Sequence, residues 1–253
     1  MVDTVIIPEE RRTPRLQSQL AGLKRFLKAR LSPEEVLGLH LTIGILVLIV
    51  ATWLFGSIAE DVVKGDPITT LDVRVSDGLQ HHSSRPVTVA LLIITNAHSS
   101  IPVAIFTTLI ILYFLRERFK SWALAFALSV FGGMLLNVLL KNVFHRARPR
   151  FDNPILTLTS YGFPSGHTMV ATTIYGTLCV FALSRIRSWF WRVVVILLTI
   201  ILIVLVGFSR IYLGAHYLTD VLAAMVEGVF WVALCITAVS TMQRWKLRKL
   251  TDE

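Results

Sequence analysis

Cysteine is almost missing from this chain: two in 253 residues, Cys179 and Cys235, both inside apolar runs. That excludes a disulfide framework and a thiolate metal site, and leaves both as small residues in helix packing. No repeat and no low-complexity tract occurs. No Asn-x-Ser/Thr sequon occurs either, which is consistent with a bacterial protein and decides little. A cleavable signal peptide is not evident, because the first apolar run starts only after about 35 polar, basic residues and therefore reads as a span. Acidic residues are few, 16 Asp and Glu against 25 Lys and Arg, for a net charge of +9. An excess of that kind can mark a nucleic-acid binder. Here the cations sit beside apolar runs and form no stripe interleaved with aromatics, so no nucleic-acid partner is expected.

What is abundant is apolar sequence, 54% of the residues, gathered in long runs. Runs of about 18 or more read as membrane spans. The expected fold class is therefore all-α: a polytopic membrane protein of six transmembrane helices. Residues 1–31 read as a basic cytosolic tail, 32–242 as the membrane domain and 243–253 as a second basic cytosolic tail. Ser32, Pro33 and Glu35 make a helix start with a capping box. Spans are expected at about 36–58, 99–116, 121–141, 167–184, 189–209 and 216–242. Residues 59–86 read as a polar loop. Thr95 to Ser100 would be costly at mid-bilayer, so 86–96 reads as a short interfacial helix in the first outer loop.

Seventeen of the 25 cations fall on one side of this layout: the two tails and the turns at Arg116–Lys120 and Arg185–Arg192. The positive-inside rule then puts both termini in the cytosol and the loops at 59–86, 142–166 and 210–215 outside.

Three polar clusters interrupt the apolar pattern, all on that outer side. They are Lys141 through Arg148-Pro149, Pro164-Ser165-Gly166-His167, and Ser209-Arg210 through His216 to Asp220. Lys141, Arg148 and Arg210 are span-end cations, and an arginine fork matches phosphate oxygens. Ser165-Gly166-His167 opens a helix, where free backbone N–H groups face an anion and glycine lets the backbone come close. His216 and Asp220, four apart, would share a helix face, and a carboxylate beside an imidazole fixes its tautomer. A phosphate cradle with one oriented histidine and a second histidine suggests phosphoryl transfer through a histidine nucleophile.

In order and spacing, these residues resemble the three-part signature of the type-2 phosphatidic acid phosphatase superfamily, with no departure at a signature position. The resemblance implies that His216 attacks phosphorus, Asp220 orients His216, and His167 protonates the leaving oxygen. It implies phosphate-binding roles for Lys141, Arg148, Ser165, Gly166 and Arg210. It implies no cofactor and no metal. The partners it implies are a lipid phosphate or diphosphate and the surrounding membrane lipids, in a bacterial cytoplasmic membrane with the site facing outward. Undecaprenyl diphosphate, phosphatidylglycerol phosphate and phosphatidate are the expected substrates, the first being favoured.

Other readings stay open. Span-end cations can be plain interfacial anchors, and the two histidines caps or packing residues, but their joint register argues against both. Ser209 either touches phosphate or caps local structure. His145 and Arg146 read as solvated or headgroup-facing, and His81, His82 and His98 as surface residues. Gly132-Gly133 reads as a close helix contact. Glu227, an intramembrane carboxylate, is expected inside the bundle with Asn137 as partner. The rival functions are a phosphotransferase using the same phosphohistidine, a vanadate-dependent haloperoxidase, whose known members are soluble, and a transporter or channel.

Overall fold

The computed structural model describes residues 38–252, apart from 152, 153 and 157. The expected tail at 1–31 and the capping box at 32–35 lie outside the described residues. In hydrocarbon a backbone must satisfy its own N–H and C=O groups, so long apolar runs become helices. Among the described residues eight follow one another: α1 Leu39–Lys64, α2 Pro67–His81, α3 Arg85–Ala97, α4 Ser100–Arg116, α5 Lys120–Phe144, α6 Gly166–Arg185, α7 Trp189–Tyr212 and α8 Leu218–Asp252. No strand occurs among the described residues.

Helices α1, α5, α6, α7 and α8 are each long and apolar enough to cross a membrane. Helices α3 and α4 pass that test only together, bent by 50° at the break the sequence marks at His98 and Ser99. The outer faces carry large exposed apolar side chains, among them Leu46, Ile49, Trp53, Ile101, Leu109 and Ile201. Water penalises such a surface and hydrocarbon does not. The chain is an integral membrane protein.

The structure corrects the sequence reading in three places. Residues 59–86 are not a loop: α1 continues to Lys64, and α2 begins at Pro67 behind an extended Asp66. The inward face of α2 runs Ile68, Asp72, Val75, Ser76 and Leu79, a helical spacing whose two most buried members are polar. Polar residues on the buried stripe hid the helix. The last helix, expected to end at about 242, runs on as α8 to Asp252. At the other end of α8, His216 precedes the helix rather than lying on it.

Helix α8 packs along α1 and α6, and α6 along α7. Helix α5 holds one π-helical turn at Leu128–Gly132. The indole of Trp231 donates to Leu128 O at 2.9 Å beside it. A Cβ on Gly132 would lie 2.7 Å from the Trp231 ring, and one on Gly133 would lie 2.2 Å from Met169 Cε, so the glycine pair is a close helix contact.

Three apolar clusters fix the ends. Phe114, Phe126 and Phe181 meet edge-on where α4 turns into α5. At the opposite end Phe55, Phe144 and Phe163 pin the 145–165 loop beneath Ala59 and Ala223. Leu91, Tyr212 and Leu213 lock α3 to the end of α7. The last two clusters frame the three polar stretches.

Candidate active site

The site lies at the end of the bundle where α5 and α7 finish and α6 and α8 start. Gly214, at φ +69°, turns the chain out of α7 with a backbone conformation that a side chain would strain. A Cβ there would also meet Phe151 at 2.8 Å. The turn delivers His216 to a position with 2% of its surface exposed.

The surroundings of His216 assign its tautomer. Arg148 Nη1 lies 2.9 Å from Nε2 and can only donate, so Nε2 accepts and carries the lone pair. The proton is then on Nδ1, which faces Asp220 Oδ2 at 3.4 Å, a contact too long for a hydrogen bond. The carboxylate acts on the ring by its charge. Burial pulls the His216 pKa down to about 3, with Arg148 and Lys141 adding to the effect and Asp220 opposing it. The imidazole is therefore neutral, with its basic nitrogen turned toward the cations.

Arg148 is held by backbone as well as by side chains. Its Nε donates to Ser160 O at 2.7 Å, and Nη1 to Ala215 O at 2.6 Å. Its Nη2 reaches Ser160 Oγ at 3.0 Å and Tyr161 O at 3.1 Å. Burial lowers the Arg148 pKa, Asp220 partly offsetting it. Lys141, from the last turn of α5, donates to the same Tyr161 O at 2.9 Å. Its charge interacts with Arg148, Asp220 and Arg210.

Arg210, in the last turn of α7, is 3% exposed. Its Nη1 donates to Thr95 Oγ1 at 2.5 Å, and its Nε finds no acceptor. Ser165 is fully buried at the start of α6; its N–H donates to Asp220 O and its hydroxyl accepts from Thr168. At Gly166 a Cβ would come within 3.2 Å of Asn137 Oδ1. His167 is half-buried within electrostatic reach of Arg210, His216 and Arg148. Seven expected cradle and histidine residues, Lys141, Arg148, Ser165, Gly166, His167, Arg210 and His216, thus gather at one end of the bundle.

Two residues, His98 and Arg146, take places other than those expected; Ser209 settles a choice left open, and Glu227 sits as expected. The Ser209 hydroxyl donates to Val206 O of its own helix at 2.6 Å, the local-structure option. His98 is half-buried, not a surface residue. Its Nδ1 bonds Ile94 O and its Nε2 the Tyr175 hydroxyl, at 2.9 and 2.8 Å. Glu227 is buried and accepts from Asn137 Nδ2 at 2.9 Å, the pairing expected. Arg146 is neither solvated nor headgroup-facing. Its Nη1 reaches Asp220 Oδ1 at 2.5 Å and Thr219 Oγ1 at 2.6 Å, its Nη2 reaches Asp72 Oδ2 at 2.7 Å, and it stacks 4.7 Å above Tyr217. Burial works against its charge, but Asp220 and Asp72 outweigh that and raise its pKa.

Sequence reasoning missed Arg146 and Asp72. The signal for Arg146 was its seat between two signature positions, and that for Asp72 was the Asp66-Pro67 helix start five residues upstream. Among the described residues, no three His, Cys, Asp or Glu side chains cluster to hold a metal ion.

Residues 122–244 match the family description PAP2 superfamily. The chain is 40% identical over 113 residues to the phosphatidylglycerophosphatase B of Bacillus subtilis, covering 44% of this chain and 55% of that protein. It is 32% identical over 139 residues to the undecaprenyl-diphosphatase of Sulfolobus acidocaldarius, covering 53% and 62%. The chain thus spans between half and two thirds of the length of these curated relatives. The crystal structure of a transmembrane PAP2-type phosphatidylglycerolphosphate phosphatase from Bacillus subtilis matches with a TM-score of 0.68 at 25% identity, over 74% of this chain and 93% of that one. The three polar clusters, the helices that carry them and this likeness converge: residues 122–244 are a PAP2 superfamily domain.

Proposed function

We propose that the chain is a membrane phosphatase that removes a phosphoryl group from a lipid phosphate or diphosphate through a phosphohistidine. The observation that carries this reading is His216: a buried, neutral imidazole whose Nε2 lone pair lies 2.9 Å from an arginine fork. Incoming phosphate oxygens would take over the Arg148 donors, together with Lys141, the Arg210 Nε that has no acceptor, and the backbone N–H groups at the start of α6. That exchange frees the Nε2 lone pair to form the N–P bond as the bond from phosphorus to the lipid oxygen breaks. His167 gives the leaving oxygen its proton. Water then attacks phosphorus, the P–N bond breaks, His167 takes the water's proton, and His216 returns neutral.

A phosphorylated amphiphile is the substrate class. A cavity of about 190 Å³ lined by His98, Val103, Asn137, Gly166 and His167 opens beside the site. An apolar groove between α4 and α6 shares His98 and Val103 with it and would take a hydrocarbon tail. We place the phosphatase unit at 32–242, read α3 as interfacial and α4 as a sixth span, and put both termini in the cytosol and the site outside. Within the class, undecaprenyl diphosphate and phosphatidylglycerol phosphate are the substrates to try first, given what the two relatives are named for.

The test is phosphate release by purified protein in detergent with EDTA, from a panel of lipid mono- and diphosphates. His216→Ala, His167→Ala and Arg210→Ala should each remove most turnover, by about 10²-fold or more. Full activity in His216→Ala would end the nucleophile assignment. Transfer of labelled phosphate to an added alcohol in preference to water would favour the phosphotransferase.

A further inference from the structure

Behind Asp220 stands a second carboxylate on an element outside the PAP2 domain. Asp72, from α2, is 1% exposed and accepts three hydrogen bonds: from Thr219 N at 2.9 Å, from Thr219 Oγ1 at 2.5 Å and from Arg146 Nη2 at 2.7 Å. Arg146 uses its other terminal nitrogen on Asp220 Oδ1 and on the same Thr219 hydroxyl. The remaining Asp220 oxygen, Oδ2, accepts from Tyr217 N at 3.0 Å and faces His216 Nδ1. The groups form one chain, His216–Asp220–Arg146–Asp72. The Arg146 side chain is only 13% exposed and the two carboxylates 1% or less. Charges buried to that degree persist only when paired, and removing one partner strands the rest.

From this geometry we infer that Asp72 is a positioning residue for the proposed reaction, acting through Arg146 on Asp220. Two consequences follow from the charges. Arg146 alone would draw the Asp220 charge away from His216; Asp72 shares that cation and leaves one net negative charge behind the imidazole. As the N–P bond forms, the ring gains positive charge, and that surplus is then matched. Direction follows as well. Arg146 occupies Oδ1 and Tyr217 N holds Oδ2, so the carboxylate plane is fixed toward Nδ1 before substrate arrives. Outer partners of this kind, which hold a group that holds the reacting one, typically change activity by about 10–100-fold when removed. Helix α2 is thereby part of the active unit, and a chain truncated to residues 122–244 lacks it.

The inference rests on the phosphatase reading, and the experiment separates the two. Steady-state kinetics and melting temperature are measured for the full chain and for Asp72→Asn, Arg146→Lys and the double variant, with Gln80→Ala as control. Gln80 ties α2 to Tyr212 O at 2.8 Å without touching the charged chain. Expected are a 10–100-fold fall in kcat per folded molecule in Asp72→Asn with KM held within about threefold, and a double variant no worse than about its weaker single. Gln80→Ala should lose less than threefold. Unchanged kcat in Asp72→Asn, a rise in KM alone, or an equal loss in Gln80→Ala overturns the inference. If Asp72→Asn does not fold, Arg146→Lys carries the test, since it keeps the charge but cannot span both carboxylates; unchanged kcat there overturns the proposal. A wild-type chain that releases no phosphate from any lipid sinks the phosphatase reading instead.

Discussion

At His216 a single residue shows how environment selects chemistry. In water its imidazole would be part-charged near neutrality; in the bundle, burial and two cations hold its pKa at about 3. The sign of the linkage follows. The folded pKa lies below the unfolded value of 6.5, so the stability gained by keeping the ring neutral is complete above pH 6.5. It is lost as pH falls through the window from 6.5 toward 3. In the ligand-free protein, histidine-labelled NMR should therefore find the His216 imidazole neutral at pH 5, and His216→Asn should delete that signal. A midpoint near 6.5 for that residue would show that water reaches the ring. Legibility at this scale was uneven. Lys141, Arg148, Ser165, Gly166, His167, Arg210, His216 and Asp220 were readable because chemistry and spacing both single them out. Arg146 was not, since an arginine two positions from another at a span end is ordinarily solvated. Its partner Asp72 lies 74 residues away, a pairing that no local pattern encodes.

Elements were legible where apolar length alone decides them, and obscure where a polar group is buried for a reason. The ends of α5, α6 and α7 fall within about three residues of the expected spans, because hydrocarbon thickness fixes helix length. Helix α2 escaped because its inward stripe carries Asp72 and Ser76, which read as loop when hydrophobicity is the only guide. The π-helical turn in α5 was also out of reach: it depends on Trp231, about a hundred residues downstream, whose N–H meets the Leu128 carbonyl. A carbonyl left without a donor inside a membrane costs on the order of 1–3 kcal/mol. Trp231→Phe keeps an aromatic side chain but removes the donor and the part of the indole that packs on Gly132, so it should lower the melting temperature by about 2–4 °C or more for a chain this long. Activity per folded molecule should stay at the wild-type level, because the turn lies about three helical turns from Lys141. An unchanged melting temperature would mean that the indole does not hold the turn.

For the whole molecule, the decisive property is which side the cations face. Charge bias along the chain puts Arg116, Arg118, Lys120, Arg185 and Arg187 at the end opposite Arg148 and His216, and the helix order places them there too. On the proposed orientation the first group would hold positive charge in the cytosol, while the second would bind an anion. If both statements hold, the substrate phosphate meets the enzyme from outside, and a lipid made in the cytosol must cross the bilayer before it is hydrolysed. A chain with Cys179 and Cys235 replaced, carrying either Arg150→Cys in the outer loop or Glu117→Cys in the α4–α5 turn, tests this directly. Both positions are exposed. A membrane-impermeant maleimide should label the first in intact cells and the second only after permeabilisation. The reverse pattern would turn the site to the cytosol, remove the need for prior translocation, and make the cationic turns an outer-surface feature at odds with the charge rule. Labelling of both from one side would put on one face two ends that the helices hold apart, and the shared-site reading would fall with it.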